Sequence, residues 1–144
     1  MTTQLASSLD VYLHAKAGSV TELSKLVENL LSLSGYSLGE DDIKTVILAE
    51  CKHYSGWAVF EAHKTGVIEI NDALILESYE WSILEPAIKA HIDLLQAQRM
   101  EAIRSLGAQE FGISVSEARQ IYREERDAMP KMAFVEEPYS LELE

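Results

Sequence analysis

The chain has 144 residues, of which 47% are hydrophobic and 25% are charged, and these values are typical of one folded globular domain. Twelve basic residues against 24 acidic residues give a net charge of -12, which argues against a surface that binds nucleic acid through its phosphates. We expect neither a secretion signal nor a membrane span, because no apolar run approaches the roughly 18 residues that a span needs. The single cysteine, Cys51, excludes an internal disulfide and suits assembly in a reducing cytoplasm.

The first third of the chain has the spacing of two helices. Residues 3–16 predict a helix that ends at Gly18, with four apolar residues on one side: Leu5, Leu9, Tyr12 and Leu13. Ser19 and Glu22 have the spacing of a capping box, in which each side chain satisfies a free backbone amide of the other residue. The second predicted helix therefore begins after Ser19 and stops near Gly35.

A third helix is predicted from Glu40 to about Lys64. Its first turn carries three carboxylates at the positive end of the helix dipole, and a regular apolar stripe follows. Gly56 lies inside this predicted helix and costs about 1 kcal/mol relative to alanine. It either permits a close helix contact or marks a bend.

Residues 67–76 have the pattern of a short β-hairpin. Two apolar runs, 67–70 and 73–76, flank Asn71 and Asp72, which favour a two-residue turn. The competing interpretation is that Asn71 caps the start of a helix. Because isoleucine and valine dominate the first run, we favour the hairpin.

The strongest helical pattern runs from Ser78 to Leu106. Pro86 lies within it, so we expect either a short helix to Glu85 followed by a long one, or a single kinked helix. A second capping box, Ser114 with Glu117, predicts a final helix to about Met129 that Pro130 ends.

Residues 130–144 predict an extended C-terminal arm. Apolar residues alternate with polar residues, first at Met132 and Phe134 and then, after a change of parity, at Tyr139, Leu141 and Leu143. We expect two short extended pieces with a bend between them, which need a sheet edge or groove in this chain or a neighbour. The predicted fold is mainly α: a helical bundle over residues 1–129 with an extended arm over 130–144.

No residue pattern predicts a catalytic, cofactor or metal site. Glu50 and His53 form a Glu-x-x-His, which is half of a di-iron motif, but no second copy occurs in the chain. Cys51 and His53 point about 200° apart on a helix and cannot act as nucleophile and base, so we expect Cys51 to be a small core residue. His91 lies on the inner stripe of the long helix, where a satisfied buried or interface histidine is the expected role.

The five arginines all lie between residues 99 and 126, a segment that also holds five glutamates. Arginine forms planar, bidentate bonds with carboxylates and is enriched at interface hot spots, which favours subunit contacts through Arg119, Arg123 and Arg126. A helix face laced with ordinary ion pairs is the equal alternative.

Three stretches resemble small virion proteins encoded in tailed-bacteriophage morphogenesis clusters: 76–86 (LESYEWSILEP), 99–107 (RMEAIRSLG) and 111–117 (FGISVSE). The resemblance covers about residues 76–138. In that setting, a helical domain with a C-terminal arm is similar to the head-to-tail connector (adaptor) proteins that form a ring below the portal.

The resemblance implies a structural virion protein without catalysis. It implies a homo-oligomeric ring, commonly a dodecamer, that binds the portal and other neck or tail proteins and surrounds DNA without binding it specifically. A ring of subunits that each carry -12 gives an acidic channel, which keeps passing DNA from adhering. We expect the arm residues and the three arginines named above to bind the partner. One alternative is a small acidic cytoplasmic regulator of phage origin that binds a host protein, and another is a helical-bundle enzyme or metal protein.

Overall fold

The computed structural model describes residues 15–64, 66, 69–104 and 113–136. Four helices dominate these residues: α1 (Val20–Ser32), α2 (Glu40–Tyr54), α3 (Ser78–Arg104) and α4 (Val115–Glu136). Two short strands, β1 (Lys16–Ser19) and β2 (Ile75–Glu77), form an antiparallel sheet, and a short 3-10 helix spans Glu61–Lys64. The prediction of a mainly helical protein with a small β element is confirmed. No helix in the described part of the chain has the length and apolar character to cross a membrane.

The core lies between α2 and α3, where the predicted apolar stripes face each other. Ile43, Ile47, Leu84 and Ile88 are all at most 2% exposed. Cys51 is also fully buried, which confirms its predicted place in the core. Burial, with smaller contributions from the charges of two glutamates, raises the pKa of its thiol to about 12, so the thiol is protonated and unreactive at neutral pH.

Both predicted capping boxes are present. Ser19 Oγ accepts a hydrogen bond from the Glu22 amide at 3.1 Å, and Glu22 Oε1 accepts one from the Ser19 amide at 2.9 Å. Ser114 and Glu117 exchange the same two bonds at the start of α4. These local signals define where α1 and α4 begin, because each box satisfies amides that the first turn leaves free.

The predicted hairpin is wrong in its pairing. Residues 71–73 do form a turn, in which Asn71 Oδ1 accepts a hydrogen bond from the Ala73 amide at 2.9 Å. The strand that follows, β2, pairs instead with β1, which lies more than 50 residues earlier in the sequence. Glu69 and Ile70 are not in a strand, and Val67 and Ile68 lie outside the described residues.

The predicted N-terminal helix is wrong at its C-terminal end, because Lys16 lies in β1. Gly18 does not end a helix but lies at an irregularity in β1, where its φ of 138° suits glycine. Residues 3–14 of that prediction lie outside the described residues. The main-chain bond from the Ser78 amide to the Ala15 carbonyl, 2.8 Å long, ties this end of the chain to the start of α3.

The third predicted helix is ten residues too long, since α2 ends at Tyr54 and not at Lys64. Gly56 therefore lies outside the helix, and neither role considered for it, a close helix contact or a bend within the helix, applies: residues 55–57 form a turn, and the Gly56 amide bonds the His53 carbonyl at 3.1 Å. The turn lets Phe60 fold back into the core, where it is fully buried. Burial of a phenylalanine side chain contributes about 2 kcal/mol or more to stability.

Pro86 lies inside one continuous helix, α3, so the interpretation of two separate helices is wrong. Residues on both sides of the proline, Leu84 and Ala87 among them, are buried in the same core. Their packing holds the helix together although proline contributes no amide at this point.

The prediction that Pro130 ends the last helix is wrong, because α4 continues to Glu136. A proline leaves the carbonyl four residues earlier without its helical partner, and here that carbonyl belongs to Arg126. The ring of His53, on α2, lies close enough to the Arg126 backbone to interact with it there. Met129 beside the proline is 1% exposed, so packing also holds this turn in place.

The continuation of α4 also corrects the proposed arm. Met132 and Phe134 lie in a helix and not in an extended segment. Tyr139, Leu141 and Leu143 lie outside the described residues.

Candidate functional site: a buried carboxylate and the arginine face of α4

Glu50 occupies an apolar position of α2, seven residues after Ile43 and four before Tyr54, and its side chain is fully buried. A carboxylate in this position needs compensating donors, because an unpaired charge in a protein interior is strongly unfavourable. The sequence contained this signal, a glutamate within a buried stripe, but its Glu-x-x-His spacing had drawn attention to metal binding instead.

Three side chains from two other helices surround Glu50. Tyr122 of α4 donates a hydrogen bond to Oε2 at 2.6 Å, and Nδ1 of His91 lies 2.9 Å from the same oxygen. The Nε of Arg126 forms an ion pair with Oε1 at 3.6 Å. The carboxylate therefore connects α2, α3 and α4. His91 has the hydrogen-bond partner that was expected, although it is 20% exposed and not fully buried.

The surrounding side chains also contact one another. The rings of His91 and Tyr122 have centroids 4.7 Å apart, and the Arg126 guanidinium lies 5.4 Å from the Tyr122 centroid in a cation–π contact. Burial, followed by the hydrogen bond to Glu50, raises the pKa of the Tyr122 hydroxyl, so it keeps its proton and remains a donor. Sequence reasoning missed Tyr122, although it lies four residues after the buried Ala118 on one face of α4.

The network opens to solvent on the side of Arg126. A cavity of about 300 Å³ is lined by Tyr122 and Leu94, by Asp127 and by three arginines, Arg119, Arg123 and Arg126. Neither Glu50 nor His91 lines it. The buried carboxylate is therefore placed to hold Arg126 in position and not to meet a ligand directly.

The structure brings the three predicted partner-binding arginines to one face of α4, which we call the arginine face. Arg119 and Arg123 are exposed, and neither has an ion pair with any residue that the structure describes. The side chain of Arg126 is 37% exposed. Of the other predicted contact residues, Met132 lies farther along α4 with 41% exposure. The Phe134 side chain, like Tyr139, Leu141 and Leu143, is outside the described part.

Arg99, in contrast, has a structural role. Its guanidinium donates to the Ser37 carbonyl at 3.1 Å and pairs with Asp42 at 3.0 Å. It fixes the connection between α1 and α2 against α3.

The Glu-x-x-His pair does not form a shared site. Glu50 points into the network described above, whereas the His53 ring packs edge-on against Trp57, with centroids 4.5 Å apart. Within the described ranges, no group of three or more histidine, cysteine, aspartate or glutamate residues could hold a metal ion.

A second buried carboxylate, Glu80, stabilises the junction between the sheet and α3. It accepts hydrogen bonds from the backbone amides of Glu77 and Glu61, each 2.8 Å long. Burial is the main reason that the pKa of Glu80 is raised. Glu77, which is 3% exposed, pairs in turn with Lys16 at 2.7 Å.

A separate apolar surface lies between α1 and α3. Leu26 and Leu30 of α1 form one row with Leu33, the residue that follows the helix, and their exposures are 54%, 60% and 86%. Beside this row is a groove of about 600 Å³ that we call the α1–α3 groove. Exposed apolar surfaces of this kind are typical of places where another segment or molecule can bind.

Comparison of the chain with protein-family models, with curated proteins and with solved structures found no match. Its function must therefore be argued from its own residues and their arrangement.

Proposed function

We propose that this chain is a structural, protein-binding subunit that assembles through carboxylates bound at the arginine face of α4. The arginine face carries the proposal: three guanidinium groups line one open cavity on a chain whose net charge is -12. Two of these groups are exposed and have no ion pair among the described residues.

The position of Arg126 supports carboxylate binding. Its Nε lies 3.6 Å from Glu50 Oε1, an ion pair that is too long for a hydrogen bond, and its guanidinium lies over Tyr122. Charge attraction and the cation–π contact thus favour this position before any partner arrives. A guanidinium fixed in this way has its terminal nitrogens available for two parallel hydrogen bonds to a carboxylate. Prior ordering lowers the entropy cost of binding, which is a large term at interfaces.

The acidic surface of the protein indicates the kind of partner. With 24 acidic residues, each copy offers many carboxylates to the arginine face of another copy. A contact between an arginine face and a different, acidic surface is heterologous, and such contacts close into rings when the rotation per subunit is suitable.

The specific setting that we propose is the neck of a tailed bacteriophage. There the chain would be a head-to-tail connector (adaptor) that forms a ring below the portal, contacts the portal and other neck or tail proteins, and leaves an acidic channel for DNA. This part of the proposal rests on the resemblance carried by residues 76–138 and on the net charge, and it places the protein in the virion.

Native mass measurement of the purified protein, alone and with the portal protein of the same phage, tests this function. We expect a ring of about a dozen copies when the portal is present. Arg119→Ala with Arg123→Ala should abolish the ring, and lysine at both positions should restore it only partly, because lysine keeps the charge but not the bidentate geometry. Lys25→Ala, which removes an exposed charge from α1, is the matched control and should assemble normally.

Two results would contradict the proposal at different levels. If the alanine variant assembles as well as the original protein, the arginine face is not the interface. If the original protein remains a monomer or dimer with the portal present, the connector function is wrong, and the acidic regulator of a host protein becomes the better hypothesis.

The arm contributes a separate test. Deleting residues 137–144 leaves all of α4 intact and removes Tyr139, Leu141 and Leu143. We expect this shortened protein to fold, with an unchanged circular dichroism spectrum, and to lose assembly with the portal. Rings that form normally without these residues would show that the arm is not a docking element.

A further inference from the structure

The α1–α3 groove is an apolar channel without an occupant among the described residues. Its lining includes Val27, Leu30 and Leu31 of α1, Trp81 and Pro86 of α3, and Ile121 of α4. Leu30 is 60% exposed although it lies beside other apolar side chains. A surface of this composition is stabilised when a further apolar element covers it.

The groove has a direction that the backbone contacts define. The Val20 amide at the start of α1 bonds the Leu74 carbonyl close to β2, and the Tyr36 hydroxyl beyond the end of α1 donates to Asp93 of α3 at 2.6 Å. The two helices therefore run the same way. The groove extends along α3 from Trp81 to Asp93, about 18 Å at 1.5 Å per residue.

The chain enters the described region at the Trp81 end of this groove. Ala15 is held by its hydrogen bond to Ser78, one turn before Trp81. The twelve residues from 3 to 14, if helical as their sequence predicts, also span about 18 Å. A helix that leads back from Ala15 thus matches the groove in length and begins at its mouth.

We propose that residues 3–14 dock in the α1–α3 groove of their own chain as an amphipathic helix. The spacing of Leu5, Leu9, Tyr12 and Leu13 gives that helix one continuous apolar side, which faces the groove. Direct attachment at Ala15 gives the segment a high effective concentration at its own groove, so it outcompetes the same segment of another copy.

Charge distinguishes this segment from the other end of the chain. The groove is flanked by Glu85, Asp93 and Glu125 and by one lysine, Lys89. Residues 1–14 carry a single acidic side chain, Asp10, whereas residues 137–144 carry three glutamates. The acidic residues that flank the groove repel the three glutamates of residues 137–144, but they hardly affect residues 1–14, which carry one acidic side chain.

A nitroxide label placed on Ser7→Cys tests the proposal. Residue 7 lies on the side of the predicted helix opposite Leu5 and Leu9, so the label leaves the apolar side intact. Cys51 is buried and protonated, so it should not react with the label. The unsubstituted protein, which should take up no label, is the control for this. In nitrogen-15 spectra, we expect the signals of Leu30, Ile121 and the Trp81 indole to lose most of their intensity and to recover it when ascorbate reduces the label.

A mixed sample separates the two possible sources of the segment. In this sample, protein enriched in nitrogen-15 but without the nitroxide is combined with nitroxide-bearing protein of natural isotope abundance. We expect no loss of intensity at the groove. Loss in the mixed sample would assign the groove to a neighbouring copy, and no loss in either sample would show that the segment does not dock. Leu5→Ser with Leu9→Ser in the labelled chain should abolish the effect, because it removes the apolar contact.

Discussion

At the scale of single residues, the protein uses buried carboxylates as connectors. Glu50 and Glu80 are both fully buried, and each accepts hydrogen bonds from groups far apart in the sequence. Glu50 joins three helices, and Glu80 joins the 3-10 helix, the sheet and α3. Paired in this way, a buried charge fixes one arrangement of elements, since its removal leaves the partners unsatisfied.

We expect Glu50→Ala to lower the free energy of unfolding by about 3 kcal/mol, because it leaves Tyr122 and Arg126 without their partner in a poorly hydrated site. Tyr122→Phe removes one hydrogen bond to the same carboxylate and should cost about 1–2 kcal/mol. Urea denaturation followed by circular dichroism measures both. Glu124→Ala, on the exposed side of α4, is the control and should change the free energy of unfolding little. If all three variants are equally stable, Glu50 does not connect the three helices.

The raised pKa of Glu80 predicts a specific dependence on pH. A carboxyl whose folded-state pKa is raised above its usual 4.5 stabilises the fold fully below that value and loses this contribution as the pH rises through the folded-state pKa. The stability of the original protein relative to Glu80→Gln should therefore increase as the pH is lowered from neutral towards 4.5. A difference that stays constant or falls on acidification, measured by denaturant unfolding at each pH, would contradict the raised pKa.

At the scale of elements, helix ends depend on what satisfies their free backbone groups. The two capping boxes act within four residues of sequence, and both helix starts follow from them. The end of α4 differs, because the His53 ring of α2 lies beside the Arg126 backbone, whose carbonyl Pro130 leaves without its helical partner. A local rule for proline failed here since the compensating group lies on another helix.

A double-mutant cycle between His53 and Pro130 tests this explanation. His53→Phe keeps the ring beside Trp57 but removes the donor to the Arg126 carbonyl, and we expect a loss of about 1 kcal/mol. In the background of Pro130→Ala, the restored amide bonds that carbonyl, so the same substitution should cost much less. Equal costs in both backgrounds, from urea denaturation, would show that the histidine does not compensate for the proline.

At the scale of the whole molecule, the helices are not equally well anchored. Most of the buried apolar side chains belong to α2 and α3, whereas α4 contributes Ala118 and Met129 among the described residues. A small second cluster joins Leu94 and Ala97 of α3 to Ala118 of α4. Alanine side chains bury little area, so this cluster contributes less apolar burial than the main core.

Hydrogen exchange should reflect this difference. We expect the amides of Ile47 and Ile88 to exchange most slowly, with a free energy close to that of global unfolding, and those in the second half of α4 to exchange through a lower-energy local opening. Mass spectrometry of peptides from the exchanged protein resolves the two classes. Protection of α4 equal to that of α2 would mean that the arginine face is as firmly anchored as the core.

The amino-acid sequence by itself determined the helical class, the two capped starts, the core stripes and the grouping of three arginines on one helix. These features depend on neighbours within about one or two turns of helix. Only the tertiary structure decided the partner of β2, the course of α4 beyond Pro130 and the role of Glu50. Each of these depends on a contact between distant residues, such as Lys16 with Glu77, 61 positions apart, or Glu50 with Tyr122, 72 positions apart. Local propensity cannot specify such pairs, because they form only once the core has brought the elements together.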